Sequence, residues 1–182
     1  MTITLNGTTG ITTPDVNVTA QSSNIVTTGN ITAVDATLSG GVYVGGTGSA
    51  NYLDDYEEGT WSPVVIGSST SGTTTYSRQS GYYTKVGRLV TAWFDLGWSS
   101  HTGTGGLKIS LPFAVSSTSY QLGAYISYNA GLSISTGYYA YGWADSGGSH
   151  VRVWQSNTSG SSASVPVDTS VPEFHMMITY NV

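Results

Sequence analysis

Leu89-Val-Thr-Ala-Trp-Phe-Asp-Leu-Gly-Trp98 sets Val90, Ala92, Phe94, Leu96 and Trp98 at alternate positions, with Thr91, Trp93, Asp95 and Gly97 between them. Side chains of an extended chain point to opposite faces in turn, so this spacing makes a strand with one apolar face and one mixed face. Phe174-His-Met-Met-Ile-Thr-Tyr-Asn181 repeats the device, with Phe174, Met176, Ile178 and Tyr180 on one face and His175, Met177, Thr179 and Asn181 on the other. Two such strands call for antiparallel sheet with one face packed on a core and the other turned outward.

Working outward, further strands are expected at 61–66, 73–77, 81–86, 107–111, 121–129, 138–143 and 151–155. They are separated by Ser, Thr and Gly-rich turns at 67–72, 99–106, 116–119, 144–149 and 157–163. No stretch of useful length has helical periodicity. The count and spacing predict an all-β chain whose residues 61–182 form a two-sheet antiparallel β-sandwich, jelly-roll-like, as a head.

Residues 1–50 read differently. Apolar residues come singly or as pairs two apart: Ile3 and Leu5, Ile11, Val16 and Val18, Ile25, Ile31. This pattern predicts short strands joined by glycine turns. So few large side chains cannot offset the ordering entropy of 50 residues, so the segment is expected to bury them against other chains, as an extended N-terminal β-arm. Three copies intertwined about an axis, or attachment along a particle surface, would each supply that cover. Residues 51–60 are the acidic junction between arm and head.

The chain has 182 residues, ten acids against five Lys and Arg, a net charge of −5, and only 8% charged residues. An acidic balance repels phosphate backbones, which argues against nucleic acid as a partner. With no cysteine, neither disulfides nor thiolate metal sites hold the fold. No apolar run approaches the roughly 20 residues that span a bilayer, so no membrane insertion is expected.

Four acids, Asp54, Asp55, Glu57 and Glu58, fall within five positions just before Gly59-Thr60-Trp61. The phrase Leu53-Asp-Asp-Tyr-Glu-Glu-Gly-Thr-Trp-Ser-Pro63 resembles the start of a small β-domain that recurs in bacteriophage virion proteins, tail fibres and tailspike tips among them. Gly81-Tyr-Tyr-Thr-Lys-Val-Gly-Arg-Leu-Val90 resembles the same domain, in which a Gly-x-Tyr-x-Lys-x-Gly turn leads into a long strand. The opening Met1–Pro14 is similar to N-terminal segments of phage fibre proteins. The resemblance implies a virion surface location.

The chemistry-bearing residues are sparse. The acidic cluster lacks the Asp-x-Asp-x-Asp-Gly spacing of a calcium loop and reads as a hydrated junction above Trp61. His101, His150 and His175 are not at metal-ligand spacings, so no metal or cofactor is expected. Beyond the junction only Asp95, Asp145, Asp168 and Glu173 could supply a carboxylate pair, and no nucleophile elbow or phosphate loop is present, so no enzymatic activity is expected. The 13 Tyr and 5 Trp are more telling. Rigid amphipathic rings serve cores, subunit interfaces and sugar stacking alike. Trp154, out of phase with Val151 and Val153, is the residue expected to be most exposed, and with Tyr139 and Tyr141 it forms the candidate glycan-contact set.

These readings converge on a homotrimeric phage virion protein. Because 50 residues leave little room for a docking domain and a shaft, the length favours a capsid decoration or cement protein whose arm binds the major capsid protein. A short tail fibre or tailspike-tip receptor-binding protein is the alternative, and a polysaccharide-degrading tailspike the third.

Overall fold

The computed structural model describes residues 34–38, 40–118 and 122–182. The chain divides into two units, Met1–Thr37 and Leu38–Val182. The arm residues Ile3, Leu5, Ile11, Val16, Val18, Ile25 and Ile31 lie outside the described residues.

The second unit is built from β1 (Val42–Tyr43), β2 (Tyr52–Leu53), β3 (Tyr56–Trp61), β4 (Val65–Gly67), β5 (Thr74–Val86), β6 (Leu89–His101), β7 (Leu107–Ser110), β8 (Leu122–Ala130), β9 (Tyr138–Ala144), β10 (His150–Asn157), β11 (Ser162–Ser164) and β12 (Val171–Asn181). A single 3-10 turn at Ser49–Asn51 is the helical element among the described residues. β1 and β2 pair with each other, and the other ten strands form one antiparallel sheet in the order β3-β5-β6-β12-β8-β9-β10-β7-β4, with β11 beside β10.

This order forces the sheet to curl. Laid flat, eight strand spacings would set β3 and β4 about 38 Å apart. They are joined by Ser62, Pro63 and Val64 alone, which reach about 14 Å. The two ends of the sheet therefore come together, and hydrogen bonds cross the seam. The Val65 N–H donates to the Tyr76 hydroxyl at 2.8 Å, and Gln79 Nε2 donates to the Pro63 carbonyl at 3.0 Å. The expected sandwich is thus made by one sheet folded over itself rather than by two separate sheets. Curling brings the apolar faces together and leaves fewer open edges.

The two strands that set the fold pair directly, with Phe174 opposite Leu96, Met176 opposite Phe94 and Ile178 opposite Ala92. Val90, Ala92, Phe94, Leu96, Trp98, Phe174, Met176, Ile178 and Tyr180 are all buried. Val151, Val153, Leu107, Ile109 and Val65 complete the core from the other half of the sheet. The register of β12 on β6 shifts between Val171 and Phe174. Pro172, which has no N–H to give the ladder, sits in that irregular stretch.

Two expected boundaries move. The strands at 73–77 and 81–86 are one strand, β5, which absorbs the intervening residues with register shifts around Tyr76 and Arg78. The acidic phrase is itself a strand, because β3 pairs β5 from Tyr56↔Val86 to Trp61↔Gly81. The two phrases that carry the virion-protein resemblance therefore form one ladder. In it each large ring covers a glycine: a Cβ on Gly81 would lie 2.0 Å from Trp61 Nε1, and one on Gly59 2.5 Å from the Tyr83 hydroxyl. The hairpin from β5 to β6 turns through Gly87 at φ 56°, a conformation that two-residue hairpins demand and side chains resist.

Candidate functional site

The junction residues are held on β3 and just before it. Lys85, only 9% exposed, forms an ion pair with Asp55 and lies 5.9 Å from the centre of the Phe113 ring. Tyr83 donates to Glu57 and Tyr56 donates to Glu58, and these carboxylates raise both phenol pKa values. Trp61 packs edge-on against Phe94 at 6.2 Å. Asp55 and Glu57 are thereby committed to partners on β5, whereas Asp54 stays exposed. The cluster fastens an edge strand rather than converging on one point.

Pairing of β6 with β12 brings together residues far apart in sequence. Asp95 lies opposite His175. His175 Nε2 is 3.1 Å from Asp95 Oδ1 and 3.1 Å from Glu173 Oε1, and Arg78 Nη1 is 2.5 Å from Glu173 Oε1. Sequence spacing hid this cluster, since only the strand register assembles it. Asp95, Glu173 and His175 offer ligand atoms within 4.8 Å of one another. The Arg78 guanidinium already supplies positive charge there, so a divalent cation would have to displace it. A sugar cleaved between the two carboxylates would likewise have to displace His175. The arrangement is two acids with a guanidinium on one of them and an imidazole between them.

Beside this cluster runs an open cleft of about 570 Å³. Register places Tyr82 opposite Trp93, Trp93 opposite Met177 and Met177 opposite Tyr125, a row of large side chains across four strands. Tyr82 and Trp93 stack at 6.0 Å, and Tyr125 is 66% exposed.

The candidate glycan-contact residues share a second outward face, on β9 and β10. Trp154 pairs with Tyr141 and Ser156 with Tyr139. Tyr139 is 59% exposed and lies 6.3 Å from Tyr141. Trp154 is half-buried, 5.4 Å from Trp143, so it is not the most exposed ring. Its alternation with Val151 and Val153 does turn it outward, but the neighbouring tryptophan covers one side. Below it lies a small pocket of about 150 Å³ lined by Ser68, Lys108, Arg152 and Ser164 among others.

No family model matches the sequence, and no curated protein matches it. Among solved structures the chain is similar to the Dettilon tailspike protein gp208, with a TM-score of 0.57 and 19% identity over 69% of this chain and 24% of that one. The chain thus spans about a quarter of the length of that tailspike, and the likeness at this identity is one of fold.

Proposed function

We propose that the chain is a structural protein of a bacteriophage virion surface, and that its β-sandwich head serves on the tail as a receptor-binding module for host surface polysaccharide. The fold in common with part of a tailspike protein carries this reading. The rings of Tyr139, Tyr141 and Trp154 on one outward face support it, since sugar faces stack on such rings. The pairing of Arg78 with Glu173 and Asp95, with His175 between the two acids, favours recognition without hydrolysis. In this reading the protein is a homotrimer without a cofactor.

Trimeric capsid decoration is the second reading, favoured by the isolated apolar residues of 1–50, from Ile3 to Ile31, which would bury against the major capsid protein. Adsorption competition tests the first. Purified full-length chain should lower attachment of the parent phage to its host cells in a dose-dependent way, and Trp154→Ala should weaken that effect. If the chain leaves adsorption unchanged but binds stripped capsids and raises their disruption temperature, the head is decoration and the tail reading fails.

A further inference from the structure

The pocket beneath Trp154 has an electrostatic feature that the fold does not need. Lys108 on β7 stands directly opposite Arg152 on β10. Like charges at paired positions of an antiparallel sheet repel, and the cost is borne by the folded state. The chain has only five Lys and Arg, so two of them meeting by composition alone is improbable. Asp145 pairs with Arg152 at 2.5 Å and balances one of the two charges. Lys108 has no ion-pair partner among the described residues, so one positive charge is left over. Burial and the charges of Lys108 and Arg152 hold the neighbouring His150 imidazole below its ordinary pKa, which fits a locally positive potential.

The remaining walls suit a sugar. The Trp154 ring lines one side. Ser68 accepts a hydrogen bond from the Gly106 N–H at 2.8 Å, and its own hydroxyl proton finds no acceptor among the described residues. Ser164, opposite Trp154 in the register, adds a second hydroxyl. One uncompensated ammonium, the Asp145-paired guanidinium, an indole and two hydroxyls thus line about 150 Å³.

From this juxtaposition we infer that the pocket binds an acidic sugar unit, its carboxylate on Lys108, beside the Asp145-paired Arg152, and its ring against Trp154. This rests on the receptor-binding reading above and deepens it by naming the ligand class as a uronic-acid-bearing polysaccharide. Charge-assisted hydrogen bonds to a carboxylate are shorter and stronger than neutral ones, so the cations set the preference while the ring supplies area.

The test is titration of the full-length chain with oligogalacturonate, and with a neutral maltooligosaccharide of equal length as control. The oligogalacturonate should bind, and its affinity should fall as salt rises. Lys108→Gln should weaken it by about tenfold or more while leaving the melting temperature unchanged or slightly raised, since it relieves the repulsion from Arg152. Trp154→Ala should weaken it as well. Equal affinity for the two oligomers, full affinity in Lys108→Gln, or no binding of oligogalacturonate would each overturn the inference. Those results leave the receptor reading to be judged by adsorption competition, which fails or succeeds independently: competition by Lys108→Gln as strong as by the wild type preserves the reading and removes this pocket from it.

Discussion

At the residue scale, the β3–β5 ladder turns on which side chain is absent. Gly81 is vacant because the Trp61 indole fills the space a side chain would take. Gly81→Ala should push that ring off Phe94 and cost about 1–3 kcal/mol, the usual penalty for overpacking. Gly123, on β8, has nothing within 4 Å of a Cβ built on it. Gly123→Ala should therefore be neutral or slightly stabilising, and chemical denaturation of the two variants side by side separates a packing cost from a generic glycine effect. Tyr180 offers a second case. Its hydroxyl donates to the Phe113 carbonyl at 3.1 Å and accepts the Phe113 N–H at 3.3 Å, and burial pushes its pKa up to about 12, against a smaller opposing effect of the Phe113 backbone. An unfolded tyrosine titrates near 10. Between about pH 10 and 12 the unfolded chain has released a proton that the folded chain keeps, so this contribution is whole below pH 10 and is lost as pH rises through about 12. Tyr180→Phe should lose about 1–2 kcal/mol at neutral pH and show a shallower alkaline decline in denaturation midpoint over that window.

At the scale of elements, the sequence is most legible where alternation is strict. β6 and β12 show their buried and outward faces residue by residue, because a period of two survives in the order of side chains. β3 is less legible: four acids within five positions resemble a solvated junction, and only the partner strand reveals that Lys85 and Tyr83 answer Asp55 and Glu57. The break between the strands expected at 73–77 and 81–86 has the same cause, since Trp61, which fills the space at Gly81, comes from another strand. In the cluster of Asp95, Glu173, His175 and Arg78, alternation puts Glu173 and His175 on one face, but only register brings Asp95 and Arg78 to them. Among the glycan candidates, alternation gives the outward direction of Trp154 but not its cover by Trp143. The ladder itself can be tested. Asp55→Asn leaves the nearly buried Lys85 ammonium without its carboxylate, and because Asp55 is partly exposed the loss should fall between surface and buried pairs, at about 1–3 kcal/mol. Hydrogen exchange should show faster opening of β3 than of β6 in this variant.

At the scale of the whole molecule, the chain has a mass of 19.0 kDa, against which the proposed oligomer can be measured. Light scattering of the purified full-length chain should give three times that mass if the homotrimer forms, and a concentration-independent monomer would remove the intertwined arm from the account. The proposed role puts the head on the virion surface, at the tail. Immunogold electron microscopy of the parent particle, with antibody raised against the purified full-length chain, is the direct test. Gold at the tail tip or its fibres is expected, whereas gold spread over the capsid shell, or particles without label, would overturn the tail role.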